Sequence, residues 1–141
     1  MNSKEFSGWI KTRALELGFS GCGIARAGFL QNEALHLENW LNAGMHGEMT
    51  YMENHFEKRV DPRKLLDGAK SVVVLLFNYF PEKPLPETGN CILSKYAYGE
   101  DYHFVIKEKL NRLIAELKAK AGDINARPFV DSAPVLERAW A

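Results

Sequence analysis

Apolar positions along the chain fall into two periods that alternate. Phe6, Ile10, Ala14 and Leu17 share one helical face, so the spacing predicts a helix from Ser3 to Leu17, capped by Ser3 or Asn2 and stopped at Gly18. Phe19 to Ala25 reads as a short buried strand, after which Leu30, Ala34, Leu37 and Leu41 return to helical spacing until Gly44. Ser71 to Phe77 is β-branched and apolar on both faces, which predicts a central strand covered on both sides. A second long helix is predicted from Tyr102 to Ala121. Its inward face is Ile106, Leu110, Leu113, Ile114 and Leu117, and its outer face carries the pairs Glu108–Arg112 and Glu116–Lys120. Arg127 to Val130 reads as a further strand with Pro128 at its start or on an edge, and a helix begins after Pro134. This alternation predicts an α/β (α+β) fold: one domain with a single-layer mixed β-sheet flanked by helices.

Composition narrows the class. The chain has 141 residues, 46% of them hydrophobic, and 18 basic against 18 acidic side chains for a net charge of zero. A domain of that size folds without disulfides or structural metal. The charge balance excludes disorder, and the longest apolar run, Val72 to Phe77, is far short of the roughly 18 residues of a membrane span. The N-terminus turns amphipathic at once and carries no secretory signal pattern, so a cytoplasmic protein without membrane attachment is expected. Cys22 and Cys91 form no CxxC pair and read as small buried hydrophobes. The ending, Glu137-Arg138-Ala139-Trp140-Ala141, has the pattern of a helix just beginning, as in a fragment.

Four segments carry candidate chemistry, each beside a plainer reading. Gly21, Gly23 and Gly28 miss the dinucleotide-loop spacing because Arg26 stands where the third glycine belongs, so they read as a strand end and turn. From Lys58 to Lys70 five basic groups outnumber two acidic ones, which suits an anion or, equally, a solvated turn that Asp61-Pro62 opens. Lys95 to His103 packs three tyrosines and a histidine before a helix N-terminus, which suits a planar ligand with anionic edges or a capped helix with core tyrosines. Asp131 ends a predicted strand. A carboxyl stripped of water there can donate a proton, although an Asx-turn or helix cap is the plainer account. The histidines His36, His46, His55 and His103 are scattered and read as surface or hydrogen-bonded groups.

Taken in order, four motifs are more specific than any one of them. They are His46-Gly47-Glu48-Met49 with Tyr51-Met52, Arg59-Val60-Asp61-Pro62-Arg63, Tyr96-Ala97-Tyr98-Gly99 with Asp101-Tyr102-His103, and Val130-Asp131-Ser132-Ala133-Pro134 running on to Ala141. Together they resemble the N-terminal half of the epoxyqueuosine reductase family, over essentially the whole chain. The resemblance implies a cobalamin-dependent iron–sulfur oxidoreductase that removes the epoxide oxygen of epoxyqueuosine in tRNA, the last step of queuosine synthesis. It places the proton donor at Asp131, which also borders the cofactor. It implies corrin contacts from Arg59, Ala97, Tyr98 and His103, and substrate contact from Arg138. Two [4Fe–4S] clusters are implied as well, their ligands in a ferredoxin-like C-terminal half absent from this chain. A tRNA, an electron donor, a monomeric state and an inactive isolated fragment complete the expectation. The rival readings are another corrinoid iron–sulfur reductase of the dehalogenase kind, or a non-catalytic module binding tRNA or a corrinoid.

Overall fold

The computed structural model describes residues 2–83, 86 and 92–141. Cys91 and most of the proline-rich loop, at Pro84, Leu85 and Glu87 to Gly89, lie outside the described residues. The chain falls into two compact units. One comprises Met1–Cys22, Leu75–Ile124 and Pro128–Asp131, the other Gly23–Val74, Asn125–Arg127 and Ser132–Ala141.

In the first unit, helix α1 (Ser3–Glu16) starts on a capping box: Asn2 Oδ1 accepts the Glu5 N–H and the Glu5 carboxylate accepts the Asn2 N–H, both at 2.9 Å. The helix ends as the sequence requires. Gly18 takes φ +90°, its N–H reaches Leu15 O, and the Phe19 N–H reaches Ala14 O, which spends the last carbonyls on a left-handed cap. Lys109 of α4 (Tyr102–Ala121) adds a cationic donor to Leu17 O at 2.7 Å. Ile10, Ala14, Leu17 and Phe19 are buried, as are Leu113 and Leu117 of α4. The helices are also clamped by Arg13, whose Nε and second terminal nitrogen bond both oxygens of Glu116. Arg13 holds the Glu116 carboxyl below its usual range, with Arg112 assisting. Glu116 therefore turns to Arg13 and Arg112, while the expected partner Lys120 lies over Trp9 at 5.0 Å.

The second unit is built around Val60, 1% exposed, packed with Ala34 and Leu37 of α2 (Gln31–Asn42) and bordered by Trp40, Met52, Phe56 and Leu136. Helix α3 (Phe56–Val60) ends at Asp61, where Pro62 opens a short 3-10 turn to Lys64. Asp61 is buried and caps that turn through the Arg63 N–H at 3.0 Å, while the Arg63 guanidinium grips both carboxylate oxygens at 2.8 and 2.7 Å. The plainer reading of this basic segment thus accounts for Arg63. The guanidinium holds the Asp61 carboxyl below the ordinary range. A carboxyl lowered by folding contributes stability above its unfolded value, about 3.9, and loses it as pH falls through the folded value. The stability gap between wild type and Asp61→Asn, measured by denaturant midpoint, is therefore expected to be constant near neutrality and to close below about pH 4. A gap independent of pH would refute this assignment.

Two strands, β1 (Gly21–Arg26) and β2 (Ser71–Leu76), pair antiparallel, with Ser20 N–H on Leu76 O at 2.7 Å and Ala27 N–H on Lys70 O at 3.0 Å. This corrects three expectations. The sheet among the described residues is two-stranded and antiparallel, not mixed. β1 begins two residues later than predicted because Phe19 is spent on the cap of α1. β2 is not covered on both faces: Val73 and Leu76 are 37% and 54% exposed, because an apolar run records that both faces are apolar without recording what covers them. Residues 127–130 carry no strand, and Pro128 has no N–H to give a ladder. The last helix, α5, is Glu137–Trp140. No helix among the described residues is long and apolar enough to cross a membrane.

Candidate functional site

Everything at the site begins with the first turn of α4. Asp101 caps that helix by accepting the His103 N–H at 2.9 Å, and the same oxygen meets His103 Nδ1 at 2.8 Å. The backbone bond first, then the imidazole, keeps the Asp101 carboxyl below its usual range. With its ring so tethered, His103 stacks on Tyr102 at 4.1 Å between centroids, while Tyr96 meets the same tyrosine edge-on at 6.2 Å. Tyr102 is thereby held between two rings, and its hydroxyl donates to Asp131 Oδ2 at 2.6 Å. That length is at the short end for an O–H···O hydrogen bond. The bond to Asp131, aided by partial burial, pushes the Tyr102 phenol up to about 12.

Asp131 itself adopts φ +50°, a left-handed conformation that aspartate tolerates better than most residues and that is consistent with the turn reading. It is exposed. The expectation of a water-stripped carboxyl is thus not met by this chain's own side chains, because the turn after Val130 carries the residue outward.

Tyr96 of this cluster is one of several large hydrophobic side chains left exposed in the first unit. Phe80, Ile92, Leu93 and Tyr96 are between 54% and 77% exposed, and the Lys95 ammonium sits 4.3 Å over the Phe80 ring. Ala97 closes the 3-10 turn Lys95–Ala97, its N–H spent on Ser94 O at 2.9 Å, so the backbone group it can offer a ligand is its carbonyl. Tyr98 follows, half-buried.

The structure brings Asp131 and His103 together with Tyr96 and Tyr102, and places Ala97 and Tyr98 in the turn before α4. Arg59 and Arg138 belong to the other unit. There, Arg59 donates to Asn54 O at 3.1 Å and Tyr51 O at 3.0 Å, two bonds from a group with five N–H donors. Arg138 is exposed on α5. His46 is hydrogen-bonded as expected, Nε2 to Glu53 at 2.7 Å with the ring against Trp40. The residue missed from the sequence is Tyr102. It stands in a quoted motif, but its partner lies 29 residues away, and nothing local signals the pairing.

The fold is α+β, and its first unit presents a carboxyl group oriented by Tyr102 together with exposed Phe80 and Tyr96 side chains. The family model described as "Epoxyqueuosine reductase QueG, DUF1730" matches residues 59–132, more than half of the chain, and the chain belongs to that family. It is 59% identical over 133 residues to an epoxyqueuosine reductase of Cyclobacterium marinum, covering 94% of this chain and 43% of that protein. An epoxyqueuosine reductase of Leadbetterella byssophila is 56% identical, over 98% of this chain and 45% of that protein. The chain therefore spans less than half the length of these curated relatives. Among solved structures, an epoxyqueuosine reductase with an epoxyqueuosine-modified tRNA-Tyr stem loop superimposes with a TM-score of 0.84 at 28% identity, over 98% of this chain and 37% of that one. The Bacillus subtilis epoxyqueuosine reductase, solved with an aspartate catalytic loop swung out of the active site, gives a TM-score of 0.81 at 26% identity, over 98% of this chain and 37% of that one.

Proposed function

We propose that this chain is the acid-bearing N-terminal part of a reductase that converts epoxyqueuosine in tRNA to queuosine. The observation that carries the reading is the Tyr102–Asp131 hydrogen bond, which orients a carboxyl from a tyrosine that the exposed Tyr96 ring also meets. Opening an epoxide to an alkene consumes two electrons and two protons and releases the oxygen as water. Oxygen leaves only if its developing negative charge is protonated, and a carboxyl group in reach does this at neutral pH if bound groups exclude water around it. Asp131 gives the first proton to the leaving oxygen, and solvent supplies the second.

The residues fit a large, partly apolar planar cofactor such as cobalamin. Ile92, Leu93 and Tyr96 offer exposed apolar area, His103 and Tyr98 offer ring faces and polar edges, and Ala97 offers a carbonyl. When bound, cobalamin supplies the electron pair for the deoxygenation. In the second unit, Arg59 is a guanidinium fixed by two carbonyls and suited to a phosphate, a group that both a cobalamin nucleotide and tRNA carry. Arg138 is assigned to the tRNA substrate. The ligands of the two [4Fe–4S] clusters are assigned to the C-terminal half of the full-length protein; among the described residues no three His, Cys, Asp or Glu side chains converge.

The test is to give the full-length protein cobalamin, a low-potential reductant and a stem loop carrying epoxyqueuosine, then to analyse the nucleosides. Queuosine should appear only with all components. Tight stem-loop binding with no conversion would instead establish a binding module.

A further inference from the structure

The geometry points to Tyr102 as the positioning residue for Asp131: its hydroxyl holds Oδ2 and so fixes the direction in which the carboxyl faces. This rests on the reading of Asp131 as the proton donor. A carboxylic acid has one O–H donor and keeps acceptor capacity on its other oxygen. With Oδ2 accepting from Tyr102 at 2.6 Å, the carboxyl is anchored through that acceptor capacity and its orientation is set by the first turn of α4.

Three features make Tyr102 an anchor and not a relay. Its ring is fixed on two sides, by His103 stacked at 4.1 Å and by Tyr96 at 6.2 Å, and His103 is itself tied to the Asp101 cap of α4. Its single O–H is committed to Asp131 Oδ2, and that bond pushes the phenol up to about 12. Asp131, finally, sits at φ +50° in an exposed turn, a conformation of low intrinsic preference that this side-chain bond helps to select.

The experiment compares wild type, Tyr102→Phe, Asp131→Asn and the double variant in the full-length protein. Tyr102→Phe is expected to lower kcat about tenfold or more through lost orientation, with KM for the tRNA stem loop within about twofold. Adding it to Asp131→Asn should cost nothing further, since its whole effect passes through Asp131. A raised KM with unchanged kcat, or losses that multiply, would overturn the positioning role. The bond is also read without turnover by tyrosinate absorbance. Asp131→Gly, which removes the acceptor and tolerates the positive φ, should return one tyrosine from about 12 towards the ordinary value of about 10, and superimposable wild-type and Asp131→Gly curves would overturn the proposal. If Asp131→Asn turns over at the wild-type rate, the donor reading fails. If Asp131→Asn is inactive and Tyr102→Phe behaves as wild type, only the positioning role fails.

Discussion

Asp131→Asn in the full-length protein is expected to lower the rate of epoxyqueuosine reduction by about a hundredfold to ten-thousandfold, the range a well-placed general acid contributes. That corresponds to about 3–5 kcal/mol of transition-state stabilisation. The substitution is chosen because it spares almost everything else. Asparagine has the same shape, tolerates the φ +50° turn, and still offers an oxygen to the Tyr102 hydroxyl, so the turn and the anchor should survive. Cobalamin binding, followed by visible absorbance, should be nearly unchanged, because the exposed side chains of Ile92, Leu93 and Tyr96 are untouched. The loss should fall on kcat, as for an interaction made only in the transition state. A variant that reduces epoxyqueuosine at the wild-type rate would remove Asp131 from the acid role. A variant that also loses cobalamin would show that its carboxyl holds the cofactor.

What could be read from the chain beforehand was mostly what is local. The two candidates for the cap of α1, Ser3 and Asn2, narrow to Asn2, whose capping box with Glu5 is an addition from the structure, while the stop at Gly18 and the Tyr102–Ala121 span of α4 stand as expected. Long-range pairing was not legible. Glu116 was matched to Lys120 because the spacing allowed it, but the better geometry came from Arg13, whose forked guanidinium meets both carboxylate oxygens. The apolar run in β2 showed that both faces are apolar and was taken to mean both are covered; Val73 and Leu76 are not. Pro128 was accepted at a strand edge, while the structure makes residues 127–130 an irregular approach to the Asp131 turn.

The site divides along the same line. Asp131 and the Tyr96–His103 segment are legible in the sequence because each lies in a contiguous motif. That Tyr102 holds Asp131 depends on the fold bringing positions 29 residues apart to 2.6 Å, and that Asp131 is exposed depends on a left-handed turn that its residue type permits but does not compel. Arg59 and Arg138 lie in contiguous motifs too, yet both belong to the other unit.

Phe19→Ala is expected to be the most destabilising single substitution in the first unit, by about 3–5 kcal/mol. Phe19 is 3% exposed, its N–H closes the cap of α1 on Ala14 O, and its ring meets Phe77 edge-on at 6.1 Å where β2 has just ended. Truncation leaves a cavity among Ala14, Leu17 and Phe77 that rigid helix ends cannot close, on top of the lost apolar burial. Against a typical total stability of about 5–15 kcal/mol, this is a large share. Phe19→Leu, which keeps most of the volume, should cost about 1.5 kcal/mol or less. The readout is native-state hydrogen exchange in the full-length protein, where amides of α1 and α4 should lose protection by roughly a hundredfold or more in Phe19→Ala. Because α4 carries Asp101, Tyr102 and His103 in and beside its first turn, the loss should extend to the residues that hold Asp131. Activity should then fall on warming before it falls in the cold. Protection unchanged in α4 would mean that Phe19 caps α1 without supporting the helix that builds the site.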